Sequence, residues 1–437
     1  MTSDLLIKQA EIVLPEGELL LGDVLVQQGK IAEIGTALHS ESARIIDGKG
    51  LTLLPGVIDP QVHFREPGLE HKEDLFTASC ACAKGGVTSF LEMPNTKPLT
   101  TTQAALDDKL NRAKEKCLVN YGFFMGATAD NLDDLREASP ACGIKIFMGS
   151  QHGALLVSTE EEIEPIFAKG DRIIAVHAED QARIMERRKE FAGISDPAIH
   201  SQIQDEEAAL NATKLAVKLA NKYQRRLHIL HLSTGIEAEY LRTHKTPWIS
   251  TEVTPQHLLL NTEAYEKIGT LAQMNPPLRS PQNNEILWKA LLDGVIDCIA
   301  TDHAPHTLEE KAKPYPHSPS GMPGVETSLV LMLTEAKKGR CSVEQVVKWM
   351  CTNPAKLYKI PNKGEIKIGY DADLILVDLN NYRPVLKENL STKCGWSPFE
   401  GWELTGWPVY TIVNGNIALD NGQLCTDVRG KALTFES

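Results

Sequence analysis

Apolar residues along the chain follow two different patterns, and the change between them divides the sequence. Residues 1 to about 55 contain short apolar runs of strand length, broken by Pro15, Gly17 and a turn at Gly29 and Lys30. Such runs are typical of a small sheet. From residue 51 onward, apolar runs alternate with longer segments of helical periodicity, and after about residue 365 short strand-like runs return. The central alternation predicts a parallel sheet with crossover helices.

Eight apolar runs in the middle of the chain are candidate strands. They cover 51–58 (continuing toward His63), 87–93, 119–126, 143–148, 172–178, 227–232, 248–253 and 296–301. Segments between them, such as 101–116, 160–169, 206–223 and 281–292, have helical periodicity. Eight alternations predict an α/β protein with a (β/α)8 TIM barrel over residues 56–365. Residues 1–55 and 366–437 are expected to form one small β-sandwich-like domain beside it.

Composition and charge exclude several classes of partner. The 437 residues include 45 Lys and Arg against 58 Asp and Glu, a net charge of −13, which opposes binding to nucleic acid or to an anionic membrane. No segment approaches the length of a membrane-spanning helix, and the N-terminus lacks the features of a signal peptide. The nine cysteines contain no CxxC pair, which favours a reducing compartment, so a cytoplasmic protein is expected.

The end of the first predicted barrel strand carries the first candidate chemistry. Residues two apart on a strand share a face, so Gln61, His63 and Arg65 are expected to point the same way. By itself this pattern is typical of an amphipathic edge strand with a surface histidine. It gains weight because other predicted strands also end in polar residues, and the C-terminal ends of barrel strands carry the active site in this fold.

Further candidate metal ligands follow from four other strands. The fourth strand holds Lys145 inside an apolar run, and a buried ammonium is unfavourable unless it is paired or neutralised. An ion-paired lysine and a lysine carboxylated by CO2, whose carbamate would bridge two metal ions, are both open interpretations. The fifth, sixth and eighth strands end near His177, His231 and Asp302. Imidazoles together with carboxylates favour a divalent ion such as zinc.

Three weaker candidates also lie at strand ends. Asn95 and Asn275 follow the second and seventh strands, where loops contact substrate in this fold. Asparagine next to proline is equally typical of an ordinary turn. Glu252 ends the seventh strand and is expected to support a ligand or to act as an occasional ligand itself.

Several segments together resemble one family, the dihydroorotases of the amidohydrolase superfamily. The resemblance covers nearly the whole chain. Its main segments are LLPGVID from Leu53, HFREPG from His63, MPNT from Met93, GIK from Gly143, HAE from His177, TDHAPHT from Thr301 and GYDADL from Gly369. HFREPG, MPNT and TDHAPHT in one chain are specific to this family.

The resemblance implies a role for each candidate residue. The implied zinc ligands, for one or two ions per subunit, are His63, Lys145 as an N6-carboxylated residue, His177, His231 and Asp302. Asp302 would also move the proton in catalysis. Arg65, Asn95 and His306 would hold a substrate carboxylate, and Asn275 would lie near the pyrimidine ring. The implied reaction interconverts N-carbamoyl-L-aspartate and L-dihydroorotate in pyrimidine biosynthesis, and a homodimer and association with aspartate transcarbamoylase are further expectations.

Two positions depart from the pattern of the family. Gln61 stands two residues before His63, and Gln256 stands before His257, where the family usually has histidine. A glutamine oxygen is a neutral and weaker ligand, so the metal nearest Gln61 is expected to be held less tightly. An active dihydroorotase is the leading interpretation. The alternatives are a catalytically impaired homologue that partners aspartate transcarbamoylase, and a hydantoinase-like or allantoinase-like cyclic amidohydrolase.

Overall fold

The computed structural model describes residues 4–150 and 153–436. The first strands are Leu5–Val13 (β1), Leu19–Gln27 (β2), Lys30–Gly35 (β3), Arg44–Asp47 (β4) and Thr52–Pro55 (β5). β1 pairs antiparallel with β2 and parallel with β4 and β5. These strands bury an apolar cluster that includes Ile7, Ile12 and Val24, which explains the short apolar runs at the start of the chain.

The next strands build a barrel in which nearly every side chain is buried. They are Val57–Val62 (β6), Val87–Glu92 (β7), Asn120–Phe123 (β8), Met125–Gly126 (β9), Ile144–Phe147 (β10), Ile174–His177 (β11), Leu227–Ile229 (β12), Ile249–Val253 (β13) and Cys298–Ile299 (β14). Neighbouring strands are parallel from β6 to β8 and from β9 to β14. The barrel closes between its first strand and the segment after its last strand, where His63 N donates to His303 O at 2.7 Å. The predicted (β/α)8 barrel is therefore confirmed.

The α-helices lie mainly in the connections between barrel strands. They are Leu75–Gly85 (α1), Gln103–Lys116 (α2), Leu132–Glu137 (α3), Glu160–Ala168 (α4), Gln181–Glu190 (α5), His200–Ile203 (α6), Glu206–Tyr223 (α7), Gly235–His244 (α8), Pro255–Leu259 (α9), Ala264–Ile268 (α10), Pro281–Leu292 (α11), Leu308–Lys311 (α12), Ser328–Lys337 (α13), Val343–Val347 (α14) and Asn353–Leu357 (α15). Short 3-10 turns lie at Pro15–Gly17, Pro197–Ile199, Gly269–Ala272 and Lys387–Asn389, and a π-helical turn lies at Lys348–Thr352. The four helices named from the sequence correspond to α2, α4, α7 and α11.

The longest helix, α7, shows why these helices could be predicted from the sequence. It begins where the side chain of Asp205 accepts a hydrogen bond from Ala208 N, which satisfies one of the free N–H groups of the first turn. One face then buries a stripe that includes Ala212, Ala216 and Ala220. A single apolar stripe at this spacing is the signature of a helix that packs on a sheet.

The chain then returns to the first sheet. The last strands are Leu374–Asp378 (β15), Arg383–Pro384 (β16), Glu403–Leu404 (β17), Trp407–Val413 (β18), Asn416–Asp420 (β19) and Gln423–Leu424 (β20). β15 pairs with β5, so strands from both ends of the chain share one sheet of order β20-β19-β18-β15-β5-β1-β2-β3. Residues beyond β20 pack on the barrel, where Leu433 N donates to Tyr121 O at 2.8 Å. The domain boundaries at residues 55 and 366 stay a prediction.

Two of the predicted strands are divided in the structure. The run 51–58 splits at Gly56 into β5, in the small sheet, and β6, in the barrel. A side chain at Gly56 would collide with Thr88, so this crossing point requires glycine. The run 119–126 splits at Phe124 into β8, which pairs with β7, and β9, which pairs with β10. Apolar character continues through both divisions, which is why the sequence pattern did not show them.

The described residues include no helix that is both long and apolar enough to cross a lipid bilayer.

Candidate active site and metal centre

A cavity of about 390 Å³ opens at the C-terminal ends of the barrel strands. Ten of the candidate residues line it: Gln61, His63, Arg65, Asn95, Lys145, His177, His231, Asn275, Asp302 and His306. They come from positions as far apart in sequence as Gln61 and His306, and the barrel brings them together because its parallel strands all end at the same rim. Glu252 and Gln256 do not line this cavity.

Two histidines face each other across one side of the cavity. His177 Nδ1 lies 2.9 Å from His231 Nε2, and His177 Nε2 lies 2.7 Å from Glu179 Oε2. Although burial favours its protonated form, hydrogen bonds from His177 and Ser150 keep the pKa of Glu179 below its usual value. As a carboxylate, Glu179 only accepts, so the proton of neutral His177 lies on Nε2 and Nδ1 presents a lone pair toward His231. A proton or a cation must therefore lie between the two rings.

Lys145 lies in the same cavity as an isolated buried amine. Its side chain is 0% exposed, and its Nζ has no hydrogen-bond partner among the described residues. Burial lowers the pKa of Lys145 to about 7. An amine with such a pKa is substantially neutral near pH 7, and the neutral amine is the form that reacts with CO2. The environment of Lys145 therefore suits a carbamate better than a free ammonium.

His63 faces Asp302 in the same cavity. His63 Nε2 lies 3.1 Å from Asp302 Oδ1, and His63 Nδ1 lies 2.7 Å from Asn95 Oδ1. Burial lowers the pKa of His63, which favours the neutral ring. With Nδ1 donating to Asn95, the lone pair of Nε2 points at a carboxylate oxygen. Two acceptors that face each other at this distance need a cation between them.

Gln61 adds its amide to the same group. Its Nε2 donates to Asp302 Oδ1 at 3.2 Å, while its Oε1 is buried without a partner among the described residues. A buried oxygen without a donor is rare in folded proteins and needs an explanation. The free oxygen of Gln61 can serve as a neutral ligand, in the position where the sequence pattern led us to expect an imidazole.

The backbone is unusual at three of the residues that line the cavity. Arg65, His231 and Asp302 have φ angles of 68°, 36° and 48°. Residues other than glycine rarely adopt these values, and such conformations concentrate at functional sites, where the surrounding structure maintains them. The strain therefore marks the same rim of the barrel as the side-chain contacts.

One end of the cavity is cationic. Arg65 is buried, its Nε donates to Pro305 O at 3.1 Å, and its Nη2 lies 3.2 Å from His306 Nε2. Burial lowers the pKa of Arg65 to about 10, so it stays charged at neutral pH. A guanidinium with its remaining donors facing a cavity is suited to a carboxylate. Asn275 also lines the cavity, and its Oδ1 is 2.8 Å from His200 Nε2.

The two remaining candidates, Glu252 and Gln256, make contacts inside the barrel instead. Glu252 Oε2 lies 2.9 Å from His228 Nε2, and Gln256 Nε2 donates to Thr301 O at 2.9 Å. Gln256 thus contacts the backbone next to Asp302. His228, Glu252 and Cys298 are close enough together to hold a metal ion. Both nitrogens of His228 already have partners, and burial raises the pKa of the Cys298 thiol well above its usual value, so this group is satisfied without a metal.

Sequence reasoning assigned no role to two residues that contact the candidate site. Glu179 contacts His177, and Lys72 Nζ lies 3.0 Å from His306 Nδ1. The spacing of Glu179 gave a usable signal, because residues two apart at a strand end share a face. Lys72 gave none, because it lies in a loop and its partner is 234 residues away.

The donor set fits a divalent metal ion. Imidazole nitrogens and carboxylate oxygens are ligands for such ions. Three features are difficult to explain without a cation nearby. They are the facing acceptors of His63 and Asp302, the buried Nδ1 of His231 without a hydrogen-bond partner among the described residues, and the buried amine of Lys145.

Residues 52–418 match the sequence profile of the amidohydrolase family. The chain belongs to the amidohydrolase family. Among related proteins, a dihydroorotase from Methanosarcina acetivorans is 37% identical over 413 residues, which are 90% of this chain and 88% of the relative. A dihydroorotase from Halobacterium salinarum is 36% identical over 416 residues, 94% of this chain and 96% of the relative.

Solved structures of other amidohydrolases have the same fold. An L-hydantoinase (dihydropyrimidinase) from Arthrobacter aurescens superposes with a TM-score of 0.95 at 32% identity, covering 99% of this chain and 100% of the other. A dihydropyrimidinase from Brevibacillus agri gives a TM-score of 0.92 at 27% identity, with coverage of 99% and 100%. The resemblance found in the sequence is thus confirmed at the level of the family. Amidohydrolases are generally metal-dependent, in agreement with the donor set of the cavity.

Proposed function

We propose that this amidohydrolase is a dihydroorotase, which interconverts N-carbamoyl-L-aspartate and L-dihydroorotate. The observation that carries the proposal is the pairing of two chemistries in one cavity. A cluster of imidazoles with Lys145 and Asp302 lies at its base, and a cationic end with Arg65 and His306 lies beside that cluster. A cyclic amide that bears a carboxylate needs both. Related proteins named dihydroorotase, at 36–37% identity over at least 90% of this chain, support the assignment.

We assign the metal-binding role to the residues around the imidazole cluster. The proposed ligands are His63, Lys145 as a carbamate, His177, His231 and Asp302, and the proposed metal is zinc. When bound, the ion supplies Lewis-acid activation of water and of the ring amide. Glu179 fixes the tautomer of His177, and Asn95 fixes that of His63, because each accepts from the ring nitrogen that faces away from the cluster.

Asp302 performs the proton transfers in this proposal. In ring opening, it accepts a proton from the attacking water, the carbon–nitrogen bond of the ring amide breaks, and the proton passes to the departing nitrogen. Ring closure runs the same steps in reverse. Gln61 donates to Asp302 Oδ1, which leaves Oδ2 as the freer oxygen. A carboxylate placed by its neighbours in this way is suited to general acid–base catalysis.

Arg65, Asn95, Asn275 and His306 are the proposed substrate contacts. Asn95 uses its oxygen for His63, so its NH2 group is the part that remains for substrate. Arg65 provides a bidentate donor for the carboxylate. Because these groups come from different loops on one rigid barrel, they fix the ring amide relative to Asp302.

The direct test is to identify the product that the purified protein forms from L-dihydroorotate. The expected product is N-carbamoyl-L-aspartate, with activity lost after chelation of metal and restored by zinc. A protein with a full complement of metal that leaves L-dihydroorotate unchanged would contradict the proposal.

Arg65→Met should impair carboxylate binding selectively. We expect kcat/KM for L-dihydroorotate to fall about 100-fold, the usual size for loss of a charge-assisted hydrogen bond, mainly through KM. Hydrolysis of dihydrouracil, which lacks the carboxylate, should change much less. Arg242→Met, on the outer helix α8, is the matched control and should behave like the wild type. Equal losses for both substrates would show that Arg65 supports the fold and does not recognise the carboxylate.

Gln61→His should raise the metal content of the purified protein. An imidazole is a stronger ligand for zinc than a neutral amide oxygen, so the site nearest Gln61 is expected to be partly filled in the wild type and fuller in the variant. The measurement is the number of metal ions per folded protein, determined by mass spectrometry for the wild type and for Gln61→His. Gln256→His is the control, because Gln256 lies outside the cavity. Two firmly held ions in the wild type, unchanged in Gln61→His, would show that Gln61 does not weaken metal binding.

Hydrolysis of hydantoins is the second candidate function. It is favoured by the fold similarity to the Arthrobacter aurescens L-hydantoinase, whereas the cationic end of the cavity favours a carboxylate-bearing ring. A catalytically impaired homologue is the third candidate, because Gln61 stands where the family usually has histidine. A homodimer, association with aspartate transcarbamoylase and a cytoplasmic location stay predictions.

A further inference from the structure

Lys72 contacts the cationic end of the cavity without belonging to the proposed substrate contacts. It lies in the loop between β6 and α1, and its side chain is 13% exposed. Its Nζ is 3.0 Å from His306 Nδ1 and 3.2 Å from Glu310 Oε1. The ammonium thus sits between an imidazole that borders the cavity and a carboxylate on its far side.

Glu310 holds the ammonium of Lys72 in place. Thr307 and Glu310 form a capping box at the start of α12, in which Glu310 Oε2 accepts from Thr307 N at 3.2 Å. The other oxygen, Oε1, faces Lys72. Because one oxygen is fixed by the helix cap, the position of the second is fixed as well. The backbone of His306 is also fixed, since Trp396 Nε1 donates to His306 O at 2.8 Å.

These contacts determine which nitrogen of His306 carries the proton. An ammonium has donors and no acceptor, so Nδ1 of His306, which faces it at 3.0 Å, must be the accepting nitrogen. Glu310 Oε2 is 3.7 Å from Nδ1, too far to take a proton from it in a hydrogen bond. Burial and then the charges of Arg65 and Lys72 lower the pKa of His306 well below its usual value. The ring is therefore neutral, with its proton on Nε2.

The proton on Nε2 creates two donors at one place in the cavity. Arg65 Nη2 lies 3.2 Å from His306 Nε2, and with this tautomer neither atom can accept from the other. Ser320 O, at 3.0 Å from Nε2, accepts the imidazole proton. Arg65 Nη2 and His306 Nε2 then converge as donors, and an anionic oxygen between them, sharing the imidazole proton with Ser320 O, would relieve the conflict.

We propose that Lys72 is a positioning residue that determines substrate specificity: it fixes His306 as the Nε2–H tautomer and so presents a second donor beside Arg65 to the carboxylate of the substrate. The identity of the substrate rests on the proposed function, whereas the tautomer does not. Without Lys72, Ser320 O still favours the proton on Nε2, whereas the donor Arg65 Nη2 favours an acceptor there, so part of the His306 population moves its proton to Nδ1. Nε2 then turns an acceptor toward the cavity and repels a carboxylate.

The test combines the tautomer of His306 with kinetics. Nitrogen-15 NMR of histidine-labelled, ligand-free protein reports which ring nitrogen is protonated, and the spectrum of His306→Gln identifies the His306 signals among the 13 histidines. The variants are Lys72→Met, which removes the donor, and Lys72→Arg, which keeps one. Lys313→Met is the matched control, because Lys313 is an exposed lysine close in sequence to Glu310 and outside the cavity.

In the wild type, Lys72→Arg and Lys313→Met, we expect the proton of His306 on Nε2. In Lys72→Met, the proton should move wholly or partly to Nδ1, and kcat/KM for L-dihydroorotate should fall about 10- to 100-fold through KM, as for loss of one hydrogen bond to a charged group. Hydrolysis of dihydrouracil by Lys72→Met should change less than threefold, and Lys72→Arg should recover most of the loss.

Two results would overturn the inference. An unchanged tautomer in Lys72→Met, even with a raised KM, would mean that Lys72 does not act through His306. Equal losses for L-dihydroorotate and dihydrouracil would mean that it has no part in specificity. Failure of the wild type to turn over L-dihydroorotate would instead contradict the proposed function and the carboxylate preference. The NMR result would still show whether Lys72 determines the tautomer of His306.

Discussion

Asp302→Asn is expected to lower kcat for the opening of L-dihydroorotate by about 10²- to 10⁴-fold, the range for loss of a positioned general acid–base group. Asparagine has the volume of aspartate but cannot accept and return the proton. Gln61 Nε2 donates to Asp302 Oδ1, and the amide oxygen of asparagine can still accept that bond. The surrounding structure should therefore persist while turnover is lost.

The measurement for Asp302→Asn needs two accompanying quantities. The metal content per protein shows whether activity is lost because the proton acceptor is missing or because a metal ligand is missing. Thermal unfolding shows whether the fold is intact. Asp293→Asn, at the end of the outer helix α11, is the matched control for the same chemical change and should keep the wild-type rate. More than a tenth of the wild-type rate in Asp302→Asn, with wild-type metal content, would show that another group moves the proton.

Lys145→Ala is expected to abolish both metal binding and activity. Lys145 is buried, its Nζ has no hydrogen-bond partner among the described residues, and burial lowers its pKa to about 7. The neutral amine can form a carbamate, which supplies two anionic oxygens where a free amine supplies none. Alanine leaves a hole beside His177 and His231 without that anion. Short carboxylic acids such as acetate or propionate should enter the hole and restore part of the metal content and activity.

Intact mass measured under CO2 tests the same claim without a mutation. The metal-loaded wild type is expected to carry one added CO2, which is absent from Lys145→Ala. Because the carbamate forms from the neutral amine, its formation in metal-free protein should increase as pH rises through about 7. An unmodified lysine in fully active, metal-loaded protein would rule out the carbamate.

The barrel was predictable because its strands are buried on both faces. Continuous apolar runs, such as the one around Ile174 and Val176, stand out against the helices between them. The division at Gly56 was not predictable, since Leu53 and Leu54 in the small sheet are as apolar as Val57 and Ile58 in the barrel. Hydrophobic patterns mark strands but do not show which sheet a strand joins.

The lining of the candidate site was predictable for a related reason. Once eight strands form a closed barrel, polar residues at their C-terminal ends must lie close together. The position of Lys145 or Asp302 in its strand was therefore sufficient to predict that it lines the cavity. The same rule placed Glu252 and Gln256 near the site, and both contact its backbone without lining the cavity: Glu252 Oε1 accepts from His231 N, and Gln256 donates to Thr301 O. Side-chain direction at a strand end depends on local twist and partners, which the sequence alone does not specify.

We expect the cavity to select a cyclic amide that bears a carboxylate. The most direct test is to measure kcat/KM for L-dihydroorotate, hydantoin and allantoin on one batch of zinc-loaded wild-type protein. We expect L-dihydroorotate to be preferred by at least about 100-fold, as expected when a buried cationic group loses its anionic partner. Equal or greater kcat/KM for hydantoin or allantoin would show that the cavity does not select for the carboxylate.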